Sequence, residues 1–540
     1  MLRYNPAMLD PHQTLPDDPA VLQAIITSLQ EEHDHRLADL RAQHERQIAI
    51  LLEQIAHLRQ QLFGRSSERL AAGANSVQLP LFDLPEPEHI EPAKVRVEPH
   101  ERKKPGRKPL PPELPRVDIL HDLPEADKVC GCGCALSRIG EEVSEQLDIV
   151  PARIQVLRHV RPKYACRRCE GVEDEGPTVR VAPMPPQIIP QSIVSPGLLA
   201  QVLTAKFVDH LPFYRQEKIF ARLGVDIGRA TMANWAIRAA EACEPLLNLV
   251  RDEILDARLI NVDETTLQVL AEPGRAATTT SYMWLFRRGD PQRPALLYQY
   301  HPTRAGDVAR TFLGDYQGVV QTDGFSGYDF LDRLAGVRHA GCMAHVRRKF
   351  VEVTRAQGKN RTSGSADQAL AYIRQLYGLE QEARARQLGP EAIRAMRAER
   401  ARPILDAFHL WLCKRASQTP PKGLLGKAIS YALNQWERLL VYLDEPMVTL
   451  DNNMAENAIR PFVLGRKNWL FAGTPRGAEA SALLYSLIET ARANNCEPYS
   501  YLRHIFTHLP GARSLADYEA LLPWNLDRAK IMLATVEAGD

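Results

Sequence analysis

A long helix is predicted near the start of the chain, because residues 21–62 contain neither Gly nor Pro and are rich in Glu, Gln, Arg, Leu and Ala. Towards the end of this segment, apolar residues recur at the heptad period of a coiled coil: Ile48, Leu51, Ile55, Leu58 and Leu62. One interpretation is a single amphipathic helix that packs on its own protein. The other is a short coiled coil that joins two copies of the chain, and it is favoured because no further apolar partner is obvious before residue 118.

Short apolar segments in the middle of the chain predict β-strands. Four of them stand close together: 259–266, 282–286, 295–300 and 318–324. The first ends in Asp263 and Glu264, and the fourth ends in Asp323. The pattern therefore predicts a sheet with carboxylates at the ends of two of its strands.

Helical sequence follows these strands. It is rich in Ala, Arg and Glu, and Gly and Pro interrupt it at 358–365, 389–390 and 420–426. A further helix is predicted to begin near Asp451 or Asn452, either of which suits the N-cap position. Glu456 then lies early on that helix.

Two helices joined by a tight turn are predicted at 213–223 and 228–240, with Gly224 opening the turn. This is the outline of a helix-turn-helix, in which Arg229 and Asn234 stand near the start of the recognition helix. It is equally the outline of an ordinary helical pair. Without its surroundings, the pattern favours the ordinary pair.

Length and composition limit the classes of protein. A chain of 540 residues is too long for one ordinary domain, and its 45% hydrophobic and 25% charged residues are average for folded soluble proteins. The net charge of +1 excludes a uniformly basic nucleic-acid coat, so any affinity for nucleic acid must come from local patches. The chain has no apolar run of the ~20 residues that a membrane span needs, and residues 1–20 do not resemble a signal peptide. These features predict a cytoplasmic protein with no membrane partner.

A change of charge marks the linker that follows the first helix. Residues 71–93 carry four prolines and no Lys or Arg, whereas residues 94–116 carry eight basic residues. Within the basic part, Arg107 and Lys108 lie between prolines, an arrangement similar to the extended hooks that enter the minor groove of DNA. A solvated linker is the alternative interpretation.

The cysteines point to a metal site. The chain has nine, an odd number, and five of them crowd into one short region: Cys130, Cys132, Cys134, Cys166 and Cys169. Two cysteine groups flanking predicted strands at 154–160 and 163–165 are typical of a zinc ribbon, in which the metal replaces a core. The first group has three cysteines for two positions, so which four of the five bind Zn²⁺ stays open.

The strand-end acids suggest phosphoryl transfer. Enzymes that cut DNA can use two divalent ions about 3.5–4 Å apart, and Mg²⁺ needs only a few carboxylates from different elements. Asp263, Asp323 and Glu456 meet that description. A single strand-end Asp is more often a turn or cap residue, so the acids alone do not decide the function.

The segments around these acids closely resemble the insertion sequence 66 (IS66) family of DDE transposases. The similarity extends over nearly the whole chain from about residue 20. The segments that carry it are Asn261–Thr265, Thr322–Tyr328, Gly341–Phe350 and Asp451–Phe471, with Gln61–Leu70, Ile139–Val150, Val160–Cys166, Ser486–Thr490 and Leu521–Leu526 in support.

The resemblance implies a multidomain α/β protein. Its catalytic core would be ribonuclease-H-like, a mixed sheet with helices, interrupted by a helical insertion. Asp263, Asp323 and Glu456 match the family's catalytic acids and would bind Mg²⁺ (or Mn²⁺) while water cuts the element's ends and the freed 3′-hydroxyl attacks target DNA. The cysteine module is implied to be a zinc-finger-like DNA-binding domain, and the region 190–255 to be helix-turn-helix-like.

The expected domains follow the chain in order. They are a flexible tail (1–19), a coiled-coil helix (20–69), a linker with a basic segment (70–117), the zinc-finger-like module (118–185), the helix-turn-helix-like domain (186–257), the first part of the catalytic core (258–355), the helical insertion (356–445), the second part of the core (446–510) and a C-terminal segment (511–540).

Further residues are expected near the site. Cys342 and His345 are similar to a C-x-x-H signature of many DDE enzymes, and a supporting role is favoured because two more zinc ligands cannot be found. Pro461 is expected to end or kink the helix that carries Glu456. Basic residues around these segments are candidates for DNA contact: Arg347, Arg348, Arg460, Arg466 and Lys467. For Arg347 and Arg348, the alternative is that they only solvate the helix that carries them.

The expected partners are DNA (the element's terminal repeats and the target), a second copy of the chain through the coiled coil, and accessory proteins of the same element. Two other functions share most of these features. One is a DNA-binding regulator with an inactive core, and the other is a metal-dependent nuclease without strand transfer. The presence of all three acids in matching surroundings favours the transposase over the regulator.

Overall fold

A computed structural model describes residues 18–63, 154–165, 179–290, 293–357 and 363–527. The chain forms two units, residues 68–162 and the remainder, and every helix and strand below belongs to the second. The N-terminal helices are α1 (Pro19–Phe63), α2 (Pro196–Phe207), α3 (Phe213–Arg222), α4 (Arg229–Ala242) and α5 (Glu244–Leu255). The strands are β1 (Lys163–Ala165), β2 (Val179–Val181), β3 (Leu259–Gln268), β4 (Thr280–Arg288), β5 (Leu296–His301), β6 (Gly318–Gln321) and β7 (Val337–Ala340).

The remaining helices lie among and after the strands. They are α6 (Asp307–Leu313), α7 (Met343–Ala356), α8 (Ser365–Ala385), α9 (Pro390–Met396), α10 (Arg402–Ala416), α11 (Leu424–Asn434), α12 (Trp436–Asp444), α13 (Asn453–Trp469), α14 (Pro475–Ala493), α15 (Pro498–His508) and α16 (Leu515–Glu519). A π-helical turn, Arg397–Ala401, joins α9 to α10, and a 3₁₀ helix, Ser326–Arg333, follows β6.

Helix α1 confirms the long helix that the sequence predicts. Its residue Ile25 is buried, whereas Ile48, Leu51 and Ile55 of the heptad series are each about half exposed (55%, 50% and 49%). An exposed apolar stripe is what a partner helix would cover. The coiled coil itself stays a prediction.

The helical pair α3–α4 is present, as the sequence predicts. Gly224 in the intervening turn has φ +80°, a conformation that glycine adopts without steric cost. Trp235 faces the core at 3% exposure, while Arg229 and Asn234 on the same helix are exposed. The exposed face of α4 is therefore polar and available to a partner.

The mixed sheet predicted for the core is also present. Its five strands lie in the order β5-β4-β3-β6-β7. β3 pairs antiparallel with β4 and parallel with β6, and β6 pairs parallel with β7. β6 pairs only with the first three residues of β3, Leu259 to Asn261. Asp263 is the fifth of the ten residues of β3 and does not end the strand as the sequence predicts, whereas Asp323 lies two residues beyond the end of β6.

Helix α14 covers the outer edge of the sheet. Ser486 Oγ accepts from the backbone N–H of Tyr298 at 2.7 Å, and one turn later Thr490 Oγ1 accepts from the N–H of Leu296 at 3.0 Å. Thr490 also donates to the Leu296 carbonyl at 3.0 Å. These bonds satisfy backbone groups of the edge strand β5 and protect it from pairing with another chain.

Two hydrophobic cores lie on the sheet. One joins β3, β4 and β5 to α2, α4, α5, α14 and α15, with Trp284, Phe286 and Tyr298 among its largest members. The other joins β6, β7 and α7 to α8, α10, α11 and α12, and it includes Phe350 and Phe408. The helices between α7 and α13 thus have a core of their own that is continuous with one end of the sheet.

The structure corrects further local predictions: that residues 154–160 form a strand, and that Pro461 ends its helix. Residues 154–160 form no strand: β1 pairs with β2, and Val156 and Val160 are 88% and 73% exposed, so the apolar residues there do not face a core. Helix α13 continues through Pro461 to Trp469. Ile459 and Phe462 are buried on either side of the proline, and that packing stabilises the helix against the lost hydrogen bond.

Candidate active site

Asp263 is half-buried in β3, opposite Leu285 of β4. Its Oδ1 accepts from the backbone N–H of Glu264 at 2.9 Å. Burial, together with the negative charges of Glu264, Asp323 and Glu456, raises the pKa of Asp263 well above its usual range. The structure therefore brings the three sequence-predicted acids into one electrostatic neighbourhood.

Asp323 follows the end of β6 by two residues. Its Oδ1 accepts from the backbone N–H of Phe325 at 2.9 Å, which shapes the turn after the strand. The adjacent Gly324 lies against the side chain of Tyr431, so helix α11 packs over this turn.

Glu456 is the fourth residue of α13. Its Oε2 lies 3.5 Å from Arg348 Nη2, at the limit of a hydrogen bond. Its Oε1 is buried and has no hydrogen-bond partner within the described residues, and the ring nitrogen Nδ1 of His345 lies 3.7 Å away. One carboxylate oxygen is thus left without the donor that a buried anion needs.

Cys342 and His345 lie beside Glu456. The sulfur of Cys342, a ring nitrogen of His345 and a carboxylate oxygen of Glu456 are all within 4.8 Å of one another. Burial raises the pKa of the Cys342 thiol to about 12, and burial followed by the charge of Arg348 lowers the pKa of His345. The raised pKa disfavours the thiolate form of Cys342, and the lowered pKa disfavours the cationic form of His345.

Sequence reasoning missed the role of Glu264. Its side chain is 1% exposed and accepts from Arg304 Nε at 2.6 Å and from the Tyr328 hydroxyl. The Arg304 guanidinium also stacks on the Phe325 ring, 3.7 Å from its centroid. The signal in the sequence was a second acid directly after Asp263, but its partners lie 40 and 64 positions away in the chain.

The basic candidates divide into two groups. Arg348 reaches Glu456, and Arg466 donates to Thr266 Oγ1 at 2.8 Å and so ties α13 to β3. Arg460 and Lys467 are exposed on α13, and Arg347 is half-buried on α7. Arg107, Lys108 and the five cysteines from Cys130 to Cys169 lie outside the described residues.

Comparison with known families gives four matches along the chain. The family described as Transposase IS66 family matches residues 191–480, and the IS66 C-terminal element matches 486–524. A zinc-finger binding domain of transposase IS66 matches 127–170. A family described as Transposase C of IS166 homeodomain matches 50–119.

Three curated relatives come from Sinorhizobium fredii (strain NBRC 101917 / NGR234), and each is described as an uncharacterized protein. Similarity to y4jD is 34% identity over 77% of this chain and 81% of the relative. The protein y4hP is 31% identical over 90% of this chain and 91% of the relative. The protein y4qI is 30% identical over 96% of this chain and 99% of the relative. In the described part of the chain, no helix combines the length and the apolarity needed to cross a bilayer.

Proposed function

The chain belongs to the IS66 family of transposases, and from this premise we propose that it cuts and joins DNA with Asp263, Asp323 and Glu456 as its catalytic acids. The observation that carries the proposal is the burial of Asp263 among three other carboxylates, which raises its pKa well above the usual range. Carboxylates this close repel one another, and a bound cation would offset that repulsion. Such clusters are typical of functional sites. The mixed sheet order, with Asp263 on β3 and Asp323 just after its parallel neighbour β6, supports the ribonuclease-H-like core that the resemblance implies.

The residues fit a divalent cation. The unpartnered Oε1 of Glu456 and the crowded carboxyl of Asp263 are hard oxygen ligands of the kind that Mg²⁺ and Mn²⁺ prefer. When bound, such an ion stabilises the charge on the attacking and leaving oxygens of the phosphate. Glu264 is already held by Arg304 and Tyr328, so it is placed to orient its neighbour Asp263 rather than to bind the ion.

In the proposed reaction a water oxygen attacks a phosphorus atom at the element's end, and the 3′-oxygen leaves as a hydroxyl. That hydroxyl then attacks a phosphodiester of the target, and the target's own 3′-oxygen leaves. Arg348 lies beside Glu456, and Arg460 lies one turn further along α13, so both offer cationic side chains that can bind backbone phosphates near the acids. Lys467, exposed in the last turn of α13, is a proposed phosphate contact further from them. Arg229 and Asn234, exposed on α4, are the proposed DNA contacts of the helical domain, and Arg107 and Lys108 those of the linker.

The amino-terminal modules complete the proposal. The match to a zinc-finger domain at 127–170 supports Zn²⁺ binding by four of the five cysteines there, because that segment contains all five. The exposed apolar stripe of α1 supports pairing with a second copy of the chain. Accessory proteins of the same element remain part of the hypothesis on family grounds alone.

The decisive experiment is cleavage and strand transfer in vitro. The purified full chain is incubated with labelled duplexes taken from the DNA flanking its gene, a target plasmid, and Mg²⁺ or Mn²⁺. Asp263→Asn and Glu456→Gln are compared with the parent after circular dichroism confirms folding. Glu479→Gln, an exposed acid on α14, serves as the charge-matched control. Joined products from the parent and the control, and none from the site variants, are expected.

Other results would support a different function. Cut ends without joined products would favour the nuclease. Binding of the ends without any cutting would favour the regulator or a requirement for accessory proteins. Site variants as active as the parent would refute the assignment of the acids.

A further inference from the structure

Each of the three segments that carry a proposed catalytic acid also contributes one fully buried amide side chain, and these amides bind one another. They are Asn261 (0% exposed), Gln321 (0%) and Asn452 (1%). We propose that this group, the amide clasp, sets the relative positions of Asp263, Asp323 and Glu456 and so determines the affinity of the site for its divalent ion. The inference rests on the proposed function, and it concerns positioning residues rather than metal ligands.

The clasp is centred on Asn261. Its Nδ2 donates to Gln321 Oε1 at 3.0 Å and to Asn452 Oδ1 at 3.0 Å. Asn261 and Gln321 are also register partners in the parallel pairing of β3 with β6, so their side chains start from adjacent backbone positions. Asn452 comes from the residue directly before α13, more than 100 positions further along the chain.

The orientation of each amide is determined by its outer partners. Gln321 Nε2 donates to the carbonyls of Gly341 (3.2 Å) and Thr449 (2.8 Å), so its oxygen must face Asn261. Asn452 Nδ2 donates to the Val262 carbonyl at 2.9 Å, so its oxygen also faces Asn261. Asn261 must therefore present its NH₂ group to both oxygens, which leaves its own Oδ1 without a partner. Exchanging nitrogen for oxygen at any of the three would break at least two bonds.

The spacing along the chain connects the clasp to the acids. Asn261 precedes Asp263 by two residues within β3, and side chains two apart on a strand point to the same face. Gln321 is the last residue of β6 and stands two residues before Asp323. Asn452 precedes Glu456 by four residues, about one helical turn. A shift of β6 or α13 relative to β3 would leave buried amide groups unpaired, and a buried polar group without a partner is costly. The clasp thus resists the displacements that would separate the acids.

The clasp also reaches the Cys342–His345 pair. The backbone N–H of Asn452 donates to Cys342 Sγ at 3.2 Å, at the start of α7. The residue that precedes the Glu456 helix is therefore bound by β3, by β6 through Asn261, and by α7. Through this hydrogen bond Cys342 helps to hold the first turn of α13 in place, a role that requires no metal.

The test compares affinity for the ion in variants that keep the volume of the clasp but lose its hydrogen bonds. Gln321→Met and Asn452→Leu remove the polar atoms at similar side-chain volume. Asn494→Leu is the matched control, since Asn494 is a buried amide that donates to the Pro294 and Thr490 carbonyls at the β5 edge of the sheet. Free Mn²⁺ is measured by electron paramagnetic resonance with the full chain, and Asp263→Asn defines binding elsewhere on the protein. Mg²⁺ titrations of DNA cleavage are run in parallel, at a temperature where circular dichroism shows each variant folded.

The expected result is a dissociation constant for Mn²⁺ that rises about tenfold in Gln321→Met and Asn452→Leu, since supporting residues of metal sites commonly contribute ~10–100-fold. The Mg²⁺ concentration for half-maximal cleavage should rise in both variants, and Asn494→Leu should change neither quantity. Folded clasp variants with the parent's metal affinity would overturn the inference. So would a parent that binds no more Mn²⁺ than Asp263→Asn. A parent that binds Mn²⁺ but does not cut DNA would refute only the proposed function, because the binding measurement still decides about the clasp.

Discussion

Arg397 and Glu380 form a two-pronged ion pair among the helices between α7 and α13, with Nε and Nη2 of the arginine 2.9 and 2.8 Å from the two carboxylate oxygens. The remaining N–H groups of Arg397 donate to the carbonyls of Tyr442 (2.5 Å), Glu445 (3.1 Å) and Val448 (3.1 Å). All five donors of a residue that is 1% exposed are therefore used. The pair connects α8 and the π-helical turn to the segment that leads into α13.

Replacing Arg397 with Ala is expected to lower the free energy of unfolding by about 3–5 kcal/mol, because it leaves the Glu380 carboxylate and three carbonyls buried without partners. Urea denaturation followed by circular dichroism and by limited proteolysis measures the change. The control is Arg400→Ala, since Arg400 pairs with Glu382 at the surface and should matter little. If the two variants lost similar free energies of unfolding, burial of the Arg397–Glu380 pair would not be the reason for its effect.

Gly324 is expected to tolerate no side chain. A Cβ there would lie 2.8 Å from ring atoms of Tyr431 and closer still to its hydroxyl. Gly324→Ala should therefore displace the turn after Asp323 and lower the rate of DNA cleavage by about tenfold or more, since small misplacements of reacting groups are costly. Rates are measured on pre-cut and intact element ends.

The steric origin of this effect can be isolated. Adding Tyr431→Ala to Gly324→Ala makes room for the new methyl group and should recover part of the activity. Gly378→Ala in α8 is the control, because no atom lies within 4 Å of the new Cβ. If the double variant is no more active than Gly324→Ala, then the contact with Tyr431 is not the cause.

Lys206 should make stability depend on pH. Burial lowers its pKa from 10.5 to about 8, and its ammonium group lies 5.0 and 5.2 Å from the ring centres of Phe213 and Trp469. Between about pH 8 and pH 10.5 the unfolded chain binds this proton and the folded chain does not, so this residue's contribution to stability rises with pH over that window. Below pH 8 both states are charged, and the folded state carries the full cost of the buried cation.

Lys206→Met is therefore expected to stabilise the protein by about 2 kcal/mol at pH 7, with a gain that shrinks as pH rises from 8 towards 10. Urea denaturation at pH 7 and pH 9.5 measures the difference. Lys218→Met, on the exposed face of α3, should show no such trend. A loss of stability at pH 7 would mean that the two aromatic contacts outweigh the cost of burial.

The apolar stripe of α1 is expected to join two copies of the chain. Leu51 and Ile55 are about half exposed, and glutamates at both positions would place like charges across a heptad interface. The double variant Leu51→Glu/Ile55→Glu should be monomeric in light scattering coupled to size exclusion, while the parent is dimeric or larger. Gln43→Glu, an exposed position outside the series, should leave the mass unchanged. A monomeric parent would refute the coiled coil.

The sequence by itself determined the features that depend on neighbours in the chain. Apolar segments located the strands β3 to β6. A turn at Gly224 separated α3 from α4, and glycines and prolines marked the breaks between the helices that follow α7. Strand ends and a helix start drew attention to Asp263, Asp323 and Glu456 before their proximity was known. These signals are local because residues a few positions apart share one strand face or one helix face.

The tertiary structure decided what depends on distant partners. The local prediction was that Pro461 ends or kinks its helix, and the packing of Ile459 and Phe462 accompanies a helix that continues past it to Trp469. Residues 154–160 are apolar enough for a strand but have no strand beside them in the described part of the chain. Nothing in the sequence indicated that Asn261 donates hydrogen bonds to Gln321 and Asn452, because these partners lie 60 and 191 positions away. Periodicity does not encode such pairings, since the energy that selects them arises only when the folded chain buries these polar groups together.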